Sequence, residues 1–307
     1  MESARQNVFD RAMEALELIS PHLSDDSLKA WALFFDKEVN RGHVRRLLAG
    51  SDINEHLLAC LQSSRAMVKR VKLDIQETKP LSILEIGCST GLNCYALQET
   101  YPNSIVVGIE PEKEAITVAR SMLNIGRGMS PYFVQGVGEK IPLKDNSIDL
   151  IICHTVIEHV RDVPLVIKEF SRLLTDRGVV HLDAPNYIWP YEPHLQVWTI
   201  PKFGKLFVKW SAIAQGKYSM LSFLDHLQFV TPFELQRLFN MNDLTWENRV
   251  ERKFIDAIDG KADVKKYRFV AKTFSLFGRL GVAKPIIALA VKMGFYPSVM
   301  YTARKAR

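Results

Sequence analysis

Glu85 and Glu110 stand on either side of a loop whose small residues fall at alternate places, in the stretches ILEIGCSTGLN and VVGIEPEKEAI. Glycine lacks a Cβ and tolerates unusual backbone angles, so Gly87 and Gly91, with Ser89 between them, let backbone approach a ligand where a strand passes into a helix. The order Gly87-Cys88-Ser89-Thr90-Gly91-Leu92 brings the last glycine one residue earlier than the dinucleotide fingerprint requires, which argues against NAD. Glu85 precedes the first glycine by two residues, a position suited to an amine or ammonium group rather than a pyrophosphate. Glu110 ends the next apolar run 19 residues after Gly91, the distance at which a carboxylate takes ribose hydroxyls. A nucleoside bearing an amino acid would satisfy both acids.

Four motifs in order carry a family resemblance: LEIGCSTG, GIEPEKEAI, VQGVGEKIPLKDNSIDLIICHTVIEHV and LLTDRGVVHLDAPN. Residues 82–184 resemble a class I S-adenosylmethionine-dependent methyltransferase. The resemblance implies S-adenosyl-L-methionine as cofactor, held by Glu85, Gly87, Cys88, Ser89, Gly91, Glu110 and Pro111, with GEKIPLKDNSIDLI as the adenine-side loop and His154 at the methyl-donor end. Val137 stands where the family often has an acid for the adenine amino group, so adenine is expected to be held by apolar contact and by the Gly138 amide.

Methyl transfer from a sulfonium needs the acceptor oriented and its proton removed, since the electrophile arrives already activated. For a hydroxyl acceptor this calls for a base, and histidine suits neutral pH. His154, Glu158 and His159 in CHTVIEHV are the first candidates, joined by His194 in WPYEPH and His226 in LDHLQFVTP. If CHTVIEHV turns helical, His154 and Glu158 share a face at i and i+4 while His159 points well away. The spacing is not H-E-x-x-H, and Asp183 is too poorly supported by oxygen ligands for a divalent ion, so no metal is expected. Neither an Asn/Asp-Pro-Pro-aromatic run nor a Pro-Cys pair is present, which removes the chemistry of the DNA amino- and cytosine-methylating enzymes.

The elements that must position these groups read as an α/β fold. From residue 82 onward the apolar runs SILEI, IVVGI, YFV, IDLIIC and VVHLD alternate with helical stretches near 91–100, 111–124 and 162–175, which implies a parallel sheet with helices on both faces. DLTWENRV, SVMYTARK and the helix TPFELQRLF complete the family's Rossmann-like, seven-stranded, mostly parallel sheet. Residues 1–80 read as an N-terminal helical cap on a methyltransferase domain at 81–307, with insertions at about 185–230 and 252–296. The first insertion holds 10 of the chain's 30 aromatic residues, a density expected of a substrate lid.

The net charge of +6 comes from the C-terminal part, where residues 252–307 hold 13 Lys and Arg against 3 Asp. The second insertion reads as an ordinary helix packed on the sheet or as a peripheral amphipathic anchor on an anionic membrane, and no nucleic-acid partner is expected. The four cysteines show no C-x-x-C pairing, the N-terminus has no signal-type apolar core, and no segment reads as bilayer-spanning, so a cytoplasmic protein at the inner membrane face is expected. The lid string APNYIWPYEPHLQVWTIPKFGKL resembles methyltransferases of cell-surface polysaccharide and glycolipid assembly, which implies O-methylation of a glycan or lipid-linked glycan. Two alternatives stand beside it: a small aromatic or quinone-like acceptor, and a cofactor-binding regulator without turnover.

Overall fold

A computed structural model describes residues 34, 53–74, 80–121, 130–200, 203–218, 221–258 and 283–306. Residues 1–33, 35–52 and 75–79 of the expected cap and 259–282 of the basic insertion lie outside the described residues. Eight helices are described: α1 (Ile53–Asp74), α2 (Leu92–Thr100), α3 (Lys113–Ser121), α4 (Val163–Leu173), α5 (Gly204–Ala214), α6 (Pro232–Met241), α7 (Val250–Ile258) and α8 (Ala283–Lys292). The described strands are β1 (Ser82–Ile86), β2 (Ile105–Glu110), β3 (Tyr132–Gln135), β4 (Ile148–His154), β5 (Leu174–Pro185), β6 (Tyr191–Glu192), β7 (Val197–Trp198), β8 (Leu244–Asn248) and β9 (Ser298–Lys305).

Seven strands form one sheet in the order β3-β2-β1-β4-β5-β9-β8, and β6 and β7 form a separate two-stranded hairpin. β1 pairs β2 and β2 pairs β3 in parallel, whereas β8 and β9 run antiparallel at the far edge. This is the Rossmann-like, mostly parallel sheet expected. The chain divides into two compact units, Met1–Ile152 with Arg172–Val179 and Cys153–Ser171 with Val180–Arg307.

In the first unit, Ile83 to Ile86 of β1 are all buried, the pattern of a strand covered on both faces. α1 places Met67, Val68 and Val71 in one core with Leu97 of α2, and Arg65 of α1 grips Glu99 of α2 through two hydrogen bonds of 2.9 and 3.0 Å. α1 thus packs on the helix that follows the glycine loop. Asp149 at the start of β4 accepts from the Ser82 amide at 3.0 Å and from the Thr175 hydroxyl at 3.1 Å, fixing the entries of three strands with one carboxylate.

In the second unit α4 and α6 start on a side-chain cap, whereas α5 has none. Asp162 Oδ1 accepts from the Leu165 amide ahead of α4, and Thr231 Oγ1 accepts from the Glu234 amide ahead of α6, where Pro232 costs no hydrogen bond. The 185–230 insertion is built from the β6–β7 hairpin, α5 and a 3-10 turn at Leu221–His226. Leu195, Val197, Val208, Ala212, Leu224 and Leu227 give it a small core of its own. α7 and α8 lie between β8 and β9 in the chain.

Candidate active site

The loop after β1 answers to its alternating residues. Gly87, Ser89 and Gly91 all take positive φ, at 68, 48 and 79°, so the backbone curls at every second residue. Gly87 and Cys88 both donate their amides to the Ile109 carbonyl, at 2.7 and 3.0 Å, which ties the curl to the end of β2. Ser89 then donates its amide to Glu110 Oε2 and Glu112 donates to Glu110 Oε1, each at 3.0 Å, so the Glu110 carboxylate is held in place by backbone on both sides. Ser89, a non-glycine in the left-handed region, carries about 1–2 kcal/mol of backbone strain that this tether must hold.

Glu85 is buried, 2% exposed, and its oxygens accept from Asn93 Nδ2 at 2.6 Å and from the Cys94 thiol at 3.0 Å. Burial pushes its pKa up to about 7 against the pull of those two donors, with the nearby Glu110 charge pushing the same way as burial. Val137 closes a small antiparallel bridge with Lys140 and leaves its side chain 44% exposed, so an apolar surface is on offer where an acid was missing; Gly138 is buried. Pro111 follows Glu110 and accepts through its carbonyl from Gln135 Nε2 at 3.0 Å.

Two clusters in the second unit divide the candidate bases. CHTVIEHV does not turn helical: Thr155 takes φ 52° and donates its amide to the Asp183 carbonyl at 2.8 Å, so chain pairing persists past the end of β4 and tight turns follow. His154 and Glu158 therefore do not share a helix face, and the i, i+4 expectation is corrected. His154 instead places Nε2 at 2.7 Å from His181 Nδ1, and Arg249 Nη2 lies 3.1 Å from the same His181 nitrogen and 3.3 Å from Asp183 Oδ1.

Glu158 and His159 meet His194 instead. Glu158 Oε1 lies 3.8 Å from His159 Nε2 and 4.0 Å from His194 Nε2, and the two imidazoles stand edge-to-face at 5.1 Å. Glu192 anchors the second imidazole: its Oε1 pairs with His194 Nδ1 at 2.7 Å, and its oxygens accept from the His194 and Leu195 amides at 3.2 and 2.6 Å. Phe223 packs against both rings, at 5.6 Å from His159 and 5.4 Å from His194. His226 ends the 3-10 turn exposed, beside Asp225, outside both clusters.

Five residues of these arrangements escaped sequence reasoning. Asn93 and Cys94 hold Glu85 from the first turn of α2, one turn beyond the glycine loop. Gly108 leaves room for them, since a Cβ there would stand 2.6 Å from Cys88 Sγ and 2.9 Å from Cys94 Sγ. Its glycine within a strand-like run, VVGIE, was the available signal of a close approach. Glu192 and His181 carried no signal beyond being a buried acid and a strand histidine.

Residues 84–182 match the family described as Methyltransferase domain. The ubiquinone biosynthesis O-methyltransferase of Bartonella bacilliformis is 27% identical over 165 residues, 53% of this chain and 60% of that protein. Malonyl-[acyl-carrier protein] O-methyltransferase 1 of Coxiella burnetii is 26% identical over 109 residues, 36% of this chain and 35% of that one. The chain thus covers less than two thirds of the length of either relative. Among solved structures, the geranyl diphosphate C-methyltransferase of Streptomyces coelicolor A3(2), in complex with Mg2+, geranyl diphosphate and S-adenosyl-L-homocysteine, superposes with a TM-score of 0.50 at 11% identity over 78% of each chain. With the strand order and the loop after β1, these matches place a methyltransferase domain at residues 84–182, on the fold of the class I S-adenosylmethionine-dependent methyltransferases.

Proposed function

We propose that the chain transfers a methyl group from S-adenosyl-L-methionine to a hydroxyl oxygen of a lipid-linked glycan. The observation that carries the donor half is the curled loop at Gly87, Ser89 and Gly91 with Glu110 locked beside it. The bound cofactor supplies a methyl group already activated on a sulfonium. Glu85 takes its ammonium, Glu110 its ribose hydroxyls, and the exposed Val137 side chain with the Gly138 amide its adenine. The electron-rich cluster of Glu158, His159 and His194 is the group that ionises the acceptor hydroxyl.

Support for a lipid-linked acceptor comes from α5. Phe203 at its start and Leu206, Trp210 and Ile213 within it recur at helical spacing, and all four are exposed, Leu206 at 81% and Trp210 at 75%. Residues 199–220 carry four lysines and no acid, and with Lys209 paired to Asp225 at 2.7 Å the apolar, tryptophan-bearing stripe still has a net positive setting, the composition of a helix lying in an anionic bilayer surface. No helix among the described residues is long and apolar enough to cross a membrane. A quinone-like acceptor is the second reading, favoured by the relative named a ubiquinone biosynthesis O-methyltransferase.

Calorimetric titration with S-adenosyl-L-methionine tests the donor half. Glu110→Ala should weaken binding by about 1–3 kcal/mol, because bound hydroxyls lose their acceptor; unchanged affinity in a folded variant would place the cofactor elsewhere. Labelled methyl transfer into a lipid extract, set against a panel of phenols, separates the two acceptors.

Glu85 makes the same titration pH-dependent. A bound ammonium favours the ionised carboxylate, whose pKa lies at about 7 in the free protein, so protonation below that value competes with the ligand. Affinity is expected to fall by up to about tenfold per unit as pH drops from 7 toward 5, and to flatten in Glu85→Gln. A flat profile in the parent protein would remove Glu85 from the ammonium site.

A further inference from the structure

Among the described residues, the Glu158 carboxylate has its own backbone amide beside it and no side-chain donor within hydrogen-bond distance. Its side chain is fully buried, and neither oxygen has a hydrogen-bond partner among the described residues. A bare buried anion costs several kcal/mol. What it faces are imidazole nitrogens, His159 Nε2 at 3.8 Å and His194 Nε2 at 4.0 Å from one oxygen. Glu192 settles the tautomer of His194, since a carboxylate oxygen 2.7 Å from Nδ1 accepts and the proton must lie on Nδ1. With the proton on Nδ1, the Nε2 edge of His194 is the one that faces the Glu158 carboxylate. Electron pairs that converge in this way are relieved by a shared proton, which burial favours by pushing the Glu158 carboxyl up to about 7, or by a cation that displaces that proton.

We propose that Glu158, His159 and His194 bind a divalent transition-metal cation of the zinc type. Their ligand atoms all lie within 4.8 Å of one another. An ion bonded to nitrogen and oxygen at about 2.0–2.2 Å draws its ligands to about 3.3–3.6 Å apart, so the two Glu158 pairs at 3.8 and 4.0 Å close by a few tenths of an ångström and the pair of imidazoles, within 4.8 Å, by up to about 1.5 Å. Glu192 behind His194 is the carboxylate that metal-ligating histidines use to fix tautomer and ring orientation. Two imidazoles and one carboxylate select zinc or its neighbours over magnesium, which prefers oxygen ligands and retained water.

The neighbouring group of His154, His181 and Asp183 has a comparable donor set, yet the Arg249 guanidinium already lies against His181 and Asp183. Among the described residues, no Lys or Arg lies within hydrogen-bond distance of the Glu158 carboxylate.

Three protein ligands leave a fourth position open. Resting on the methyltransferase reading, that position would take the acceptor hydroxyl, whose pKa coordination would lower and whose proton would leave to solvent.

The test uses the full chain dialysed against chelator. Titration with Co2+ should give one equivalent of binding with visible d–d absorption, displaced by Zn2+, and calorimetry with Mg2+ should show no comparable site. His159→Ala and Glu158→Gln should each weaken Zn2+ binding by at least about tenfold. His159 is partly exposed, so its variant leaves the core intact, and circular dichroism checks both. No saturable Co2+ absorption, or Zn2+ affinity unchanged in both folded variants, overturns the site. A cofactor titration on the same samples keeps the readings apart. Cofactor binding without metal binding sinks the metal site alone, whereas metal binding without cofactor binding upholds it and sinks the methyltransferase reading.

Discussion

Gly91→Ala is expected to lower the unfolding free energy by about 2–4 kcal/mol, the sum of a left-handed backbone penalty and an overpacking cost. Gly91 sits at φ 79°, and a Cβ built on it would stand 2.5 and 2.6 Å from two ring carbons of Phe133 and 3.1 Å from Ala119 Cβ. Separations that short require a neighbour to move. Phe133 has little freedom to do so: it is 6% exposed, its ring packs against Tyr95 with centroids 5.8 Å apart, and Arg120 holds its carbonyl at 2.8 Å. The same displacement would disturb the curl that starts α2 and positions Ser89 on Glu110. Gly216→Ala isolates the first contribution, because Gly216 takes φ 70° with nothing within 4 Å of its would-be Cβ. That variant should cost only about 1–2 kcal/mol. Urea unfolding of both variants decides the matter, and equal losses would show that the clash with Phe133 is relieved without cost.

The strands were legible because a parallel sheet buries both faces. SILEI and IDLIIC read as continuous apolar runs, and they became β1 and β4 with those runs almost wholly buried. TPFELQRLF announced α6 through a local device, a threonine cap with proline in the first turn, that needs no tertiary context. The glycine loop was legible for a similar reason, since positive φ at alternate residues is a demand on residue type. The candidate bases were a different matter. Glu158 and His194 are 36 positions apart, and only the fold of the 185–230 segment brings them together. The condition set for CHTVIEHV, that it turn helical, is not met because the Thr155 amide finds a strand partner, Asp183, which residue spacing cannot reveal. Composition also could not sort the aromatics of that segment. Tyr187 and Phe229 stack at 4.3 Å, while Trp198 and Trp210 are 62% and 75% exposed.

Asn186→Ala is expected to cost about 3–5 kcal/mol, although Asn186 touches none of the candidate bases. The side chain is 2% exposed and satisfies three backbone groups at once: Nδ2 donates to the carbonyls of Gly294 and Tyr296 at 2.7 and 2.6 Å, and Oδ1 accepts from the Ile188 amide at 3.0 Å. Alanine would strand all of them in the interior, at about 1–3 kcal/mol for each group that finds no substitute. The consequence reaches chemistry because Asn186 opens the turn into the hairpin that carries Glu192, and Glu192 in turn holds His194. Asn186→Asp sharpens the argument. It keeps the acceptor for Ile188 but sets a carboxylate against two carbonyl oxygens, which raises its folded pKa above the unfolded value of about 3.9. The neutral acid can still donate one hydrogen bond, so this variant should be most stable near pH 4 and lose stability as pH rises through its folded pKa, whereas Asn186→Ala should show no added slope. Thermal unfolding of both variants between pH 4 and 8 reads the difference. Parallel curves, or a loss below about 1 kcal/mol in Asn186→Ala, would mean that water takes over the Gly294 and Tyr296 carbonyls and that the turn is held by other contacts.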